Sequence, residues 1–148
     1  MTQLNRRKEI LRGVLSVAII IVGITHFTKP EPYASIIPSQ LPHPLELVYI
    51  SGFFEILGGI GLIIPWISVV AAWGLIALFI AVFPANINQA IHSIPIEGIP
   101  HHPLLYWFRL PFQAVLIAWA WWYTQKPEEQ VGASSIANML KLRGFERR

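Results

Sequence analysis

Apolar residues run along this chain in long blocks, separated by short joints rich in proline and polar side chains. The block LELVYISGFFEILGGIGLIIP, residues 45–65, would rise about 31 Å as a helix at ~1.5 Å per residue, against a bilayer hydrocarbon core of roughly 30 Å. Similar blocks lie at about residues 10–27, 67–86 and 103–123. The pattern predicts an all-α, integral membrane four-helix bundle.

The joints define its connectivity. Lys29-Pro30-Glu31-Pro32 stops the first span, because proline cannot continue a helix and disfavours helical geometry just before itself. EPYASIIPSQLPHP follows, and its prolines and scattered apolar residues predict a structured Pro-rich outer loop, with Tyr33 as an anchor at headgroup level. Pro65-Trp66 predicts a tight cytoplasmic turn, which makes the second and third spans antiparallel neighbours. The third span is expected to end in FPANINQA, and a loop carrying His92, Glu97, His101 and His102 leads to Pro103 and the fourth span. Trp119, Trp121, Trp122 and Tyr123 at its end suit an interfacial aromatic belt better than a cofactor box.

Within the second block Glu55 stands alone. A carboxylate at mid-membrane depth costs at least about 2.5–3.5 kcal/mol on insertion scales, so it needs a partner, a proton or a wet cavity. Counted from the outer ends, Arg109 and Gln113 of the fourth span reach similar depths and share a helical face. Ser51, Gly52, Glu55 and Gly59 form a small-residue face that permits close helix approach. His26 ends the first span on the face of Gly23, and Asn86 ends the third. All four helices thus bring polar groups to the outer half of the bundle. Glu55 and His26 are the candidate catalytic residues, with Arg109, Gln113 and Asn86 as ligand-binding residues. No metal site is expected, because the five histidines show no helical pairing and no accompanying acidic cluster.

Composition agrees with this picture: 54% of the 148 residues are hydrophobic and 13% charged, with a mean hydropathy of +0.53. Residues 1–127 form the four-span domain and 128–148 a basic cytoplasmic tail, either solvated or folded as a short amphipathic segment on anionic lipid. The net charge of +3 sits at the chain ends and not in a stripe with interleaved aromatics, so no nucleic-acid partner is expected. Arg6, Arg7, Lys8 and Arg12 precede the first span, and Lys126, Lys141, Arg143, Arg147 and Arg148 follow the last. Both termini should be cytoplasmic. With no small-x-small cleavage site after the first block, that block is expected to remain as a signal anchor. The absence of cysteine removes thiolate nucleophiles, disulfide relay and iron–sulfur clusters from the chain acting alone.

GITHF, KPEPYASIIPSQLP, SGFFEILGGIGLIIP, the stretch from AAWGL to FPANI, and WFRLPFQAVLIAW occur in an order and spacing that resembles the DoxX-like family of small four-helix membrane proteins. The resemblance covers roughly His26 to Trp119. His26, Pro38, Pro42, Gly52, Glu55, Gly59, Pro84, Asn86, Arg109, Pro111 and Gln113 are its matching positions. That family includes polypeptides of a thiosulfate:quinone oxidoreductase, members tied to quinone or thiol stress, and many members without assigned activity.

The resemblance therefore implies a redox-associated subunit in the bacterial inner membrane. It would bind a quinone or similar amphipathic molecule and meet membrane lipid, a redox partner protein or a second copy of itself. Two other readings stay open. In one, a non-enzymatic assembly or stabilising subunit uses a Glu55–Arg109 ion pair, supported by Gln113 and Asn86, to fix helix register. In the other, the chain is a small-molecule transporter, although four short helices without paired broken spans suit that poorly.

Overall fold

The long apolar blocks are helices. The computed structural model describes residues 3–95 and 102–125, and contains α1 (Gln3–Thr28), α2 (Pro30–Ala34), α3 (Pro44–Ile63), α4 (Ser68–His92) and α5 (Pro103–Thr124). Glu97 and His101 of the expected loop, and the expected tail at 128–148, lie outside the described residues.

Each long helix buries one stripe. On α1 the buried positions are Leu15, Ser16, Ile19, Gly23 and His26; on α3 they include Val48, Gly52, Glu55, Gly59 and Leu62; on α4 they include Ser68, Ala72, Leu75 and Phe79. Spacings of mostly three and four residues keep such a set on one face of a helix. The outward faces carry exposed Val14, Val17 and Ile21 on α1, Phe53, Leu57 and Ile60 on α3, and Leu104, Phe108 and Phe112 on α5. That surface is suited to hydrocarbon rather than water.

The stripes set the packing order: α1 lies against α3, α3 against α4, and α4 against α5. A Cβ placed on Gly52 would lie 2.7 Å from His26 Cβ and 2.9 Å from Gly23 O, and one on Gly59 would lie 2.6 Å from Ile20 Cγ1. Small residues thus let α1 and α3 come into backbone contact, the usual device where helices gain little hydrophobic drive from their surroundings. Gly61 meets Ala71 in the same way, with 2.7 Å between a built Cβ and Ala71 Cβ. These pairs run in opposite sequence directions, so each neighbour is antiparallel to the last. Tyr123 Oη donates to Lys8 O at 3.2 Å and accepts from Trp119 Nε1 at 3.1 Å, which brings the end of α5 to the start of α1.

Four expectations are refined. Three helical stretches, Arg6–Thr28, Pro44–Ile63 and Ser68–His92, are long and apolar enough to cross a membrane. The 22-residue α5 has the length, but Arg109, Gln113, two prolines and its Trp and Tyr residues make it less apolar than the others. The third long helix does not stop near Asn86: it continues through Pro84 to His92, and ends where Ser93 adopts a left-handed conformation at φ 50°. The outer connector contains the short helix α2, in which Tyr33 turns toward the bundle and stands edge-on to His26, with ring centroids 4.2 Å apart. Finally, Tyr123 is buried in a helix contact, so the aromatic cluster at the end of α5 is a latch as well as a surface feature.

Candidate functional site

The core is solid at one end of the bundle, where Leu15, Leu62, Leu75, Ala120 and Tyr123 pack together. At the other end, beside α2, it opens into a cavity of about 530 Å³. Most of its wall is aliphatic, from residues such as Val22, Ile36, Leu78 and Leu116. His26, Glu55, Asn86, Arg109 and Gln113 all line this one cavity, together with Ser51 and Tyr33.

Glu55 is 7% exposed, and its Oε2 lies 3.3 Å from His26 Nδ1. The two are close but not aligned as a hydrogen bond, and Glu55 Oε2 has no hydrogen-bond partner among the described residues. The serine beside them explains the misalignment. Ser51 Oγ donates its single proton to Val48 O at 2.8 Å, so the 3.2 Å contact between Ser51 Oγ and His26 Nδ1 requires the imidazole to donate. The Nδ1 proton therefore points to Ser51, and Glu55 Oε2 is left enclosed and without a donor, on a residue that lines the cavity.

Arg109 departs from expectation. Among the described residues its side-chain partner is Gln89, to whose Oε1 Nη1 donates at 2.8 Å, and no Glu55–Arg109 ion pair forms. The packing order agrees with this: α5 packs on α4, and the guanidinium takes its partner there. Gln89 is 1% exposed and uses its own Nε2 to donate to Ile94 O at 3.2 Å, which fixes its carbonyl toward Arg109.

Gln113 and Asn86 are engaged mainly with the fold. Asn86 Nδ2 donates to Gln113 Oε1, and Gln113 Nε2 donates to Phe79 O. Pro84 has no N–H for the carbonyl four residues earlier, and a helix with such a break needs other groups to satisfy its backbone. The Gln113 bond to Phe79 O lies one residue from that break, and so joins the weakened turn of α4 to α5.

Gln89 is the functional residue that sequence reasoning missed. Once the helix is known to pass Asn86, a glutamine three positions later falls on the same face and becomes a partner for Arg109. Tyr33 is the other addition: Thr25 Oγ1 donates to Val22 O at 2.6 Å, so the 2.7 Å Thr25–Tyr33 contact has the phenol as donor.

A family model described as a domain of unknown function (DUF8561) matches residues 15–124. The chain belongs to this family. The DUF8561 match opens at Leu15, a buried apolar residue of α1, and closes at Thr124, the last residue of α5. The family's extent is therefore that of the packed helices together with the cavity. No curated protein and no solved structure matches the chain.

Proposed function

We propose that this protein is a membrane-embedded, redox-associated subunit that takes an amphipathic small molecule of the quinone class into the cavity beside α2. The observation that carries the reading is Glu55: a carboxyl group 93% buried, lining an apolar cavity, with one oxygen unpartnered. Buried polar atoms normally have partners, and an exception points to a strained, reactive or ligand-facing group. The motif resemblance to the DoxX-like family supports the choice of ligand class.

A quinone-class headgroup would supply the two-electron, two-proton chemistry, with the electrons coming from a redox partner protein. In this reading Arg109 donates to a headgroup oxygen, because Gln89 occupies only part of its five-donor fork. Glu55 holds or releases the accompanying proton, and His26 at 3.3 Å is the neighbour able to exchange it. Gln113 and Asn86 position the wall by tying α5 to α4. The cavity would lie in the outer half of a four-crossing bundle in the bacterial inner membrane, with both termini cytoplasmic.

A non-enzymatic assembly subunit is the second reading, favoured by the Arg109–Gln89 and Gln113–Asn86 bonds, which hold helices together without any ligand. One experiment separates the two. Wild type and Glu55→Gln are purified from native membrane in mild detergent, and co-purifying molecules are extracted and identified by mass spectrometry. A quinone-class molecule in wild type, absent from the variant, is the expected result. Bulk lipid alone in both would overturn the small-molecule reading and leave the assembly role.

A further inference from the structure

The donors and acceptors on the cavity wall do not balance, and the imbalance specifies what a ligand must bring. Each hydroxyl proton on the wall is already committed, Ser51's to Val48 O and Tyr33's to Thr25 Oγ1. The Nδ1 proton of His26 goes to Ser51, and Gln113 Nε2 and Asn86 Nδ2 each commit one of their two protons within the α4–α5 contact. Among the described residues none of these groups donates to the Glu55 carboxyl, which lines the cavity and whose Oε2 is enclosed without a partner. Arg109 has the opposite requirement: a guanidinium only donates, and one acceptor, Gln89 Oε1, meets part of its capacity.

We infer that the cavity selects a headgroup carrying a hydroxyl for the Glu55 carboxyl and a separate oxygen acceptor for Arg109, with an apolar remainder along the aliphatic wall. The inference rests on the small-molecule reading of this same cavity and narrows it. A hydroxyl both donates and accepts, so it satisfies a carboxyl oxygen whether Glu55 is ionised or protonated. A headgroup with carbonyls alone does so in one of those states only. Any water that wets the Glu55 carboxyl in the free cavity must also be replaced on binding, and a ligand group that cannot reproduce its hydrogen bond loses affinity. Within the quinone class, the reduced, hydroxyl-bearing form is thus bound more tightly than the dicarbonyl form.

A redox-inert pair of probes tests this: heptyl 4-hydroxybenzoate and heptyl 4-methoxybenzoate, which differ in the hydroxyl proton and one methyl group, and share an ester carbonyl for Arg109. Binding is measured by calorimetry on the purified protein in detergent, with the heat of injection into empty micelles subtracted. Wild type should bind the hydroxy ester about tenfold more tightly than its methyl ether, the scale of a hydrogen bond to a charged or buried partner.

In Glu55→Leu, which fills similar volume without an acceptor, the two esters should bind within about twofold of each other. Equal affinities in wild type would overturn the inference, and so would a preference that survives in Glu55→Leu, since the hydroxyl would then be read elsewhere. If neither ester binds, the hydroxyl inference fails. The small-molecule reading falls with it only if extraction from native membrane also returns bulk lipid alone.

Discussion

A neutral side chain, Gln89, accepts a hydrogen bond from Arg109 at the cavity wall. Replacing Gln89 by Leu would leave the guanidinium without that acceptor and strand the Ile94 carbonyl as well. A buried donor left unsatisfied costs about 1–3 kcal/mol, so the Gln89→Leu protein should melt at a lower temperature in detergent. Gln89→Glu, which keeps an oxygen facing Arg109, should retain most of the wild-type Tm. Equal melting of Gln89→Leu and wild type would mean that Arg109 finds another partner, and would remove Gln89 from the site. At this scale the sequence was legible where charge interrupts hydrophobicity: Glu55, Arg109 and His26 stand out in their blocks, and all three reach one cavity. Their pairing was not legible. Depth along a helix axis says nothing about which helices pack together: α5 packs on α4, and Arg109 takes its partner from there although it shares a cavity with Glu55.

Helix contacts depend on where the chain has no side chain. Gly52 sits against α1, where a built Cβ would lie 2.7 Å from His26 Cβ and 2.9 Å from Gly23 O, whereas one on Gly74 meets nothing within 4 Å. Gly52→Ala should therefore force α1 and α3 apart, at a cost of about 1–3 kcal/mol, the range for overpacking a close contact. Gly74→Ala should be neutral or stabilising by up to about 1 kcal/mol through helix propensity. Thermal unfolding of the two variants in the same detergent tests the contrast, and equal destabilisation would refute the close-contact account. Because His26 and Glu55 flank this contact, Gly52→Ala should also disturb the cavity wall. The small-residue face of α3 was readable from the spacing of Ser51, Gly52, Glu55 and Gly59. The length of α4 was not, because Pro84 and the polar run after it look like a helix end under rules drawn from water-exposed helices. Pro84 is tolerated where Gln113 from α5 reaches the backbone at Phe79 O, a contact distant in sequence.

For the molecule as a whole, the number of membrane crossings turns on α5, since α1, α3 and α4 are long and apolar enough to cross and α5 is less apolar. The Tyr123–Lys8 hydrogen bond bears on this directly. It joins the last turn of α5 to the first turns of α1, so α5 must end on the side where α1 begins, and it must start beside the end of α4, where Arg109 meets Gln89. If α1, α3 and α4 cross in alternate directions, α5 has no route between those two points except through the membrane. Its polar residues do not oppose this, because Gln113 is buried and Arg109 is turned to the cavity, while Trp107 and Phe108 face outward. The chain has no cysteine, so single introduced cysteines report position without background. In bacterial spheroplasts, a membrane-impermeant maleimide should label His43→Cys and His92→Cys. Trp66→Cys and Gln125→Cys should label only after permeabilisation, which would place the α3–α4 link and the end of α5 with the basic termini on the cytoplasmic side. Labelling of Gln125→Cys together with His92→Cys would show that α5 stays on the outer side, and would detach the Arg109 wall of the cavity from the membrane interior.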